Sequence, residues 1–78
     1  MLTFCLIEET PHMVVYQYFP EGGTDSGVVS FDKTSKKISI VTLSVNDKHQ
    51  IYALKLFARI RKYSENDFFS KQGIIAWC

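Results

Sequence analysis

Apolar side chains recur with helical spacing in one long stretch of the sequence, residues 44 to 63. At about 100° per residue, one broad and mainly apolar face of a helix would be formed by the following side chains: His49, Tyr52, Ala53, Leu56, Phe57, Ile60 and Tyr63. Ser44 and Asp47, three residues apart, resemble a capping box, and Asp47 also favours the positive end of the helix dipole. The pattern therefore predicts one long helix whose apolar face packs against a sheet.

Shorter apolar segments before this helix have the features of strands, because they are rich in β-branched and aromatic side chains and are separated by turn-forming residues. These segments are residues 2 to 8, 13 to 19, 28 to 31 and 37 to 43. In the last one, Ile38 and Ile40 alternate with Lys37 and Ser39, which is the period of a half-buried strand. The first is apolar on both sides and is predicted to be an interior strand.

After the helix, residues 64 to 67 could cap one further helical turn over residues 68 to 71, and residues 74 to 78 could form a fifth strand. The prediction is therefore an α+β fold. It has an antiparallel β-sheet of four to five strands, arranged as a meander because the connections are short, packed against one long α-helix. A short C-terminal helical turn and strand are possible additions. With 78 residues, we expect a single domain spanning residues 1 to 78.

A second and smaller apolar strip lies on nearly the opposite side of the helix. It consists of Ile51, Leu54 and Ala58, and we call it the second apolar strip. A simple two-layer domain would leave this strip in water, so we expect something to cover it. We expect the C-terminal tail, through Phe68 and Phe69, to do so, with a second copy of the chain or a partner protein as the alternatives.

Four cations share one side of the predicted helix between the two apolar faces. They are Lys48, Lys55, Arg59 and Lys62, and we call them the basic ridge. Exposed helix sides are usually charged, so the favoured interpretation is a solvated edge that keeps the protein soluble. The functional alternative is a contact for phosphate groups or for an acidic protein.

The composition is that of a folded globular protein, with 46% apolar, 14% aromatic and 22% charged residues. The net charge is only +1, but the charges are segregated along the chain. Residues 1 to 32 contain five Asp and Glu and no Lys or Arg, whereas residues 33 to 78 contain all nine Lys and Arg and three Asp and Glu. This asymmetry can steer association with a charged partner but does not determine the fold.

The first seven residues are apolar, but no basic residue precedes them and Glu8 and Glu9 end the run. This pattern is typical neither of a signal peptide nor of a membrane span. We therefore expect a cytoplasmic protein without membrane association, whose Cys5 and Cys78 are free thiols in a reducing environment. A disulfide between them would require the first strand and the last residue to be neighbours, and we do not expect one.

The residue types that usually carry chemistry do not form a recognisable site. Neither His12 nor His49 stands at a spacing typical of zinc ligands. Cys5 with a histidine could act as nucleophile and base, but a cysteine in an apolar strand is more often a packing residue. The loop at Gly22 and Gly23 lacks the Lys and the Ser or Thr of a phosphate-binding loop and is interpreted as a hairpin connection. We therefore predict no metal, no cofactor and no enzymatic activity.

Three segments carry a resemblance: residues 16 to 22 (YQYFPEG), residues 27 to 33 (GVVSFDK) and the ending GIIAW at residues 73 to 77. With these motifs, which cover strands and turns over most of the chain, the sequence resembles a family of small uncharacterised proteins of Gram-positive bacteria and their phages. The resemblance implies a bacterial or phage origin and a stand-alone domain. It brings no established activity and no catalytic residues.

Taken together, these observations favour a small non-enzymatic protein-interaction module. Its partner is either an unknown protein or a second copy that forms a homodimer, bound at Ile51, Leu54 and Ala58. The alternative hypothesis is a nucleic-acid-binding accessory factor that uses the basic ridge.

Overall fold

The computed structural model describes residues 1–76 and contains five strands and one helix within them. The elements are β1 (Leu2–Glu9), β2 (Met13–Pro20), β3 (Gly27–Asp32), β4 (Ile38–Thr42), α1 (Ile51–Glu65) and β5 (Gln72–Ile75). The predicted α+β class is confirmed, and the first four predicted strands agree with β1 to β4 to within one residue at each end. The fifth, predicted over residues 74 to 78, is observed as β5 over Gln72–Ile75, and residues 77 and 78 lie outside the described range.

The five strands form one open sheet in the order β4-β3-β2-β1-β5, and every neighbouring pair is antiparallel. Strands β1 to β4 follow one another as the predicted meander. β5 then returns to the other side of β1, where Leu2 lies opposite Ile75 and Cys5 lies opposite Gln72. β1 is therefore an interior strand, as its two apolar sides predict, and β4 and β5 are the outer strands.

The helix packs on one face of the sheet, chiefly over β2 and β3. Its buried side chains are Ala53, Leu56 and Ile60, and they meet a buried layer from the strands that includes Leu2, Phe4, Val14, Tyr16, Tyr18, Val29 and Phe31. Tyr52, Phe57 and Tyr63 pack at the margins of this core and are partly buried. Burial of an aliphatic side chain such as Leu56 contributes about 1.5 to 3 kcal/mol. The predicted helix face is thus correct, except for His49, which precedes the helix and is exposed.

The helix begins at Ile51 rather than at Ser44, so the predicted capping box is wrong. Ser44 and Asp47 are both buried in the connection between β4 and α1. The Asp47 carboxylate accepts hydrogen bonds from the backbone amides of Tyr52 (3.0 Å) and Ala53 (2.9 Å). Asp47 therefore caps the helix, as its predicted place near the positive end of the helix dipole suggests.

The backbone between Asp47 and the first residue of the helix has an unusual conformation. Gln50, immediately before the helix, has a φ of 61°, in the left-handed region, and its side chain makes no capping hydrogen bond. The amide of Gln50 donates to the carbonyl oxygen of Asp47 at 2.9 Å. This tight turn brings the Asp47 carboxylate back over the first helical amides. A cap four residues ahead of the helix lies outside the spacing of the standard sequence signature.

The chain after the helix also departs from the prediction. No helical turn forms over residues 68 to 71, because Asp67 adopts a left-handed φ of 52° and turns the chain back towards the sheet. Phe69 is 8% exposed and packs against Phe31 and Tyr63, whereas Phe68 is 67% exposed. The chain then forms β5, which is the predicted fifth strand.

Gly73 fits the close approach of β5 to β1, because a Cβ atom at this position would lie 2.6 Å from Cζ of Phe4. The C-terminal segment up to residue 76 therefore lies along β1. The prediction that the tail covers the second apolar strip is wrong for the described part of the chain, and residues 77 and 78 lie outside it.

Candidate interaction surface

The second apolar strip is exposed, and it is part of a longer exposed segment. Within residues 1–76, nine large apolar side chains are exposed, and five of them lie between residues 41 and 54. These five are Val41, Leu43, Val45, Ile51 and Leu54, and we call them the exposed apolar segment. Ile51 is 49% and Leu54 56% exposed, and Ala58 is exposed beside them. The structure thus places the three predicted strip residues together in solvent.

The exposed apolar segment begins on an outer strand of the sheet. β4 pairs with β3 on one side, and no strand of the described residues pairs with its other side. A register shift leaves Val41 without an opposite residue in β3, so the regular part of this edge covers Ile38 to Ile40. Such an edge carries backbone donors and acceptors that a further strand can use.

The helix leaves the β4 side of the core partly open. Because α1 lies chiefly over β2 and β3, the inward side chains of β4, Ile38 and Ile40, are only partly buried. Lys36, just before β4, donates a hydrogen bond from Nζ to Oγ of Ser64 at 3.0 Å, which shows that the Ser64 side of the helix faces the β3–β4 turn.

The same side of the helix carries apolar residues farther along. Phe57 precedes Ser64 by two helical turns, and Leu54 and Arg61 lie three residues before and four residues after Phe57. At this spacing all four side chains lie along one side of α1. Leu54 therefore lies on the side of the helix that is turned towards β4, whereas Ile51 and Ala58 point away from the sheet.

A cleft of about 300 Å³ lies at the start of this side, between the C-terminal half of α1 and the β3–β4 turn. Its lining residues are Phe31, Lys36, Arg61, Ser64 and Glu65. Phe31 is almost completely buried and forms an apolar floor. Neither Lys36 nor Arg61 has a carboxylate oxygen within 4.0 Å in the described part of the chain. Two cations and one carboxylate thus share the cleft, which leaves an excess of positive charge.

Backbone hydrogen bonds hold the β3–β4 turn in place. The Asp32 carboxylate accepts from the amides of Thr34 (2.8 Å) and Ser35 (3.0 Å), and the amide of Lys36 donates to the Asp32 carbonyl oxygen at 2.8 Å. The amide hydrogen bonds from Ser35 and Thr34 lower the pKa of the Asp32 carboxyl group. Lys36 itself has a left-handed φ of 63°. The turn therefore presents the Lys36 side chain towards the helix from a well-defined backbone.

A buried polar cluster joins the sheet to the start of the helix. The Tyr18 hydroxyl donates to the Asp47 carboxylate at 3.2 Å and accepts from the amide of Ser44 at 3.3 Å. Burial raises the pKa of Tyr18; the hydrogen bond from Ser44 opposes this shift and the Asp47 carboxylate adds to it. Because the members of this cluster are enclosed and satisfy one another, the cluster is structural rather than a binding site.

The basic ridge is only partly on the helix. Lys55, Arg59 and Lys62 lie on α1, but Lys48 lies in the loop before it, because the helix begins later than predicted. Lys55 and Lys62 are exposed, and Arg59 is half-buried. The fourth helical cation, Arg61, faces the cleft on the other side. Sequence periodicity could not select Arg61, because only the packing shows which side of the helix meets β4.

The other candidate residues do not come together. His12 and His49 are exposed, and Cys5 is a half-buried free thiol, while Cys78 lies outside the described residues. Across residues 1–76, no group of three or more His, Cys, Asp or Glu side chains is placed to hold a metal ion. In the same range, no helix is both long and apolar enough to cross a membrane.

The fold and the surface define a small α+β domain with an unpaired edge strand beside exposed apolar side chains. No family model, no curated protein and no solved structure matches this chain.

Proposed function

We propose that this chain is a small non-enzymatic protein-interaction module, which binds an extended segment of a partner protein along the outer edge of β4. The observation that carries the proposal is the unpaired edge of β4 together with the exposed apolar segment that continues from it. Strand addition of this kind uses main-chain hydrogen bonds for affinity and contacts with alternate side chains for selectivity.

The arrangement of the two features supports this mode of binding. The regular part of the edge is short, from Ile38 to Ile40, so its backbone groups alone would give weak binding. By helical spacing, Leu54 and the partly buried Phe57 lie on the side of α1 that is turned towards β4. An apolar partner side chain placed between β4 and α1 would contact both elements. Removing a side chain such as Leu54 from water contributes about 1.5 to 3 kcal/mol.

The test is a selection of random peptides of about ten residues, which can span β4 as a strand, on the immobilised chain. We expect enriched peptides with alternating apolar residues, and their affinity is then measured by fluorescence anisotropy. Leu54→Asp should weaken binding about tenfold or more. The substitution removes an apolar contact that contributes about 1.4 kcal/mol or more to binding and puts a charged group in its place.

Ile74→Asp is the matched control, because Ile74 is about as exposed but lies on β5, the outer strand at the opposite edge of the sheet. It should leave affinity unchanged. Equal losses in both variants, or no enriched peptide, would contradict the proposal. Sedimentation velocity on the free chain supplies a further arm: a dimer that Leu54→Asp converts to a monomer would identify the occupant as a second copy rather than another protein.

A second candidate function is nucleic-acid binding by the basic ridge. The observation that favours it is the charge of α1, which carries four cations and only one carboxylate, Glu65. Titration of labelled duplex and single-stranded DNA and RNA at two salt concentrations tests it. Three or four phosphate contacts would give a log-log salt slope of about −3. Replacement of Lys48, Lys55, Arg59 and Lys62 by Ala should then abolish binding, and an unchanged affinity would exclude this function.

A further inference from the structure

We infer that the cleft between α1 and the β3–β4 turn binds a carboxylate of the partner segment. This inference rests on the proposed strand addition at β4, and it names the chemistry of the partner at one end of that edge.

The charge of the cleft supports a carboxylate. Lys36 and Arg61 both line it without a carboxylate oxygen within 4.0 Å in residues 1–76, and Glu65 is its only acidic lining residue. A guanidinium group can hold both oxygens of a carboxylate in a planar, bidentate arrangement. The hydrogen bond from Lys36 Nζ to Ser64 Oγ keeps the ammonium group at the same cleft. Glu65 would disfavour a more highly charged anion such as phosphate.

The surroundings strengthen this interaction. Phe31 closes the floor of the cleft with an apolar ring, which limits solvent access from below. Lys33, whose Nζ pairs with Glu9 at 3.0 Å, is already neutralised and lines a neighbouring cavity with Lys36 and Asp67. Within the cleft itself, the two cations Lys36 and Arg61 outnumber the single carboxylate, Glu65.

The position of the cleft specifies where the carboxylate occurs in the partner. Lys36 lies two residues before the start of β4. All neighbouring strands in this sheet are antiparallel, and antiparallel pairing is slightly more stable per residue. An added antiparallel strand would therefore end beside Lys36 and Arg61. The carboxylate belongs either to an Asp or Glu near the end of the paired segment or to the C-terminus of the partner chain.

The experiment compares two cleft variants with a control of equal charge change. Peptides enriched on the wild-type chain are measured by fluorescence anisotropy against Arg61→Ala, Lys36→Ala and Lys62→Ala. Lys62 is the neighbour of Arg61 but points to the other side of the exposed helix surface. We expect about tenfold weaker binding for Arg61→Ala, as for the loss of a hydrogen bond to a charged group, a smaller loss for Lys36→Ala, and less than twofold for Lys62→Ala.

The peptides themselves distinguish the two sources of the carboxylate. Amidation of the peptide C-terminus weakens binding if the terminal carboxylate is bound, whereas replacement of Asp by Asn or Glu by Gln weakens it if a side chain is bound. Arg61→Glu should shift the preference to peptides with Lys at the same position.

The possible failures are distinct. If peptides bind in a manner that depends on Leu54 but not on Arg61 or Lys36, the carboxylate inference is overturned and strand addition stands. If Lys62→Ala weakens binding as much as Arg61→Ala, the effect is one of overall charge, and the inference is again overturned. If no peptide binds the wild-type chain, the proposed function fails and the inference fails with it.

Discussion

Replacement of Asp47 by Ala removes the group that joins the start of the helix to the sheet. The buried carboxylate accepts hydrogen bonds from the amides of Tyr52 and Ala53 and from the hydroxyl of Tyr18, at 3.0, 2.9 and 3.2 Å. Without it, two amides of the first helical turn and one buried hydroxyl lose their acceptor. We expect this single change to be among the most destabilising substitutions of a polar residue in the protein.

The magnitude follows from the two parts of the interaction. Loss of a helix cap typically costs about 1 kcal/mol. A buried donor left without a partner, here the hydroxyl of Tyr18, costs about 1 to 3 kcal/mol. The sum is about 3 kcal/mol, against a total stability of roughly 4 to 12 kcal/mol for a chain of this length. For a domain of this size the melting temperature should fall by about 15 °C.

Urea denaturation followed by far-ultraviolet circular dichroism measures the loss. Asp25→Ala is the control, because Asp25 is exposed and, among residues 1–76, accepts only from the side-chain amide of Asn46. It should cost less than about 0.5 kcal/mol. Tyr18→Phe should cost about 1 kcal/mol in the wild-type chain and distinctly less in the Asp47→Ala background. If Asp47→Ala and Asp25→Ala cost the same, or if the two cluster substitutions are additive, the assigned role of this carboxylate is wrong.

Three further outcomes follow from the packing. Phe69→Ala should cost about 3 to 5 kcal/mol in urea denaturation, because the ring is buried, whereas exposed Phe68→Ala should be nearly neutral. Gly27→Ala should destabilise and shift the near-ultraviolet dichroism, because the new Cβ would lie 2.3 Å from a ring carbon of Tyr18. Burial raises the pKa of Tyr16 and Tyr18, so the folded chain holds their protons more tightly than the unfolded chain. The stability this gives is present below about pH 10 and lost as the pH rises through the folded pKa values, and an absorbance titration should show both tyrosines ionising as the chain unfolds.

A specific result would contradict each of these three predictions. Equal losses for the two phenylalanine substitutions would mean that residues 68 and 69 are not placed on opposite sides of the chain. An unchanged dichroism spectrum in Gly27→Ala would show that the ring beside it is not held against the backbone. Ionisation of Tyr16 and Tyr18 near the ordinary tyrosine pKa, with the far-ultraviolet signal intact, would rule out their burial.

The sequence determined the strands, the presence of one long helix and the face that each presents, because these depend on local periodicity. The two-residue period around Ile38 and Ile40 and the helical period of Leu56 and Ile60 are properties of neighbouring residues, and both predicted the buried side correctly. The same periodicity placed Ile51, Leu54 and Ala58 away from the core, and the structure leaves them exposed. One side of the proposed interaction surface was therefore predictable from spacing alone.

Only the tertiary structure decided the position of the helix start and the path of the tail. Ser44 and Asp47 have the spacing of a capping box, yet a hydrogen bond to Tyr18, 29 residues away in the sequence, holds Asp47 in a buried loop and the helix begins at Ile51. Phe69 does not cover the second apolar strip, because its ring packs in the core against Phe31 instead.

The lining of the cleft also depends on the tertiary structure. Lys36 and Arg61 share it because the helix lies with its Ser64 side towards the β3–β4 turn, where Ser64 accepts a hydrogen bond from Lys36 across 28 residues of sequence. Periodicity fixes which residues share a side of a helix, but not which strand that side meets. The contacts that orient the helix join residues far apart in the chain, so their outcome depends on how the whole core packs.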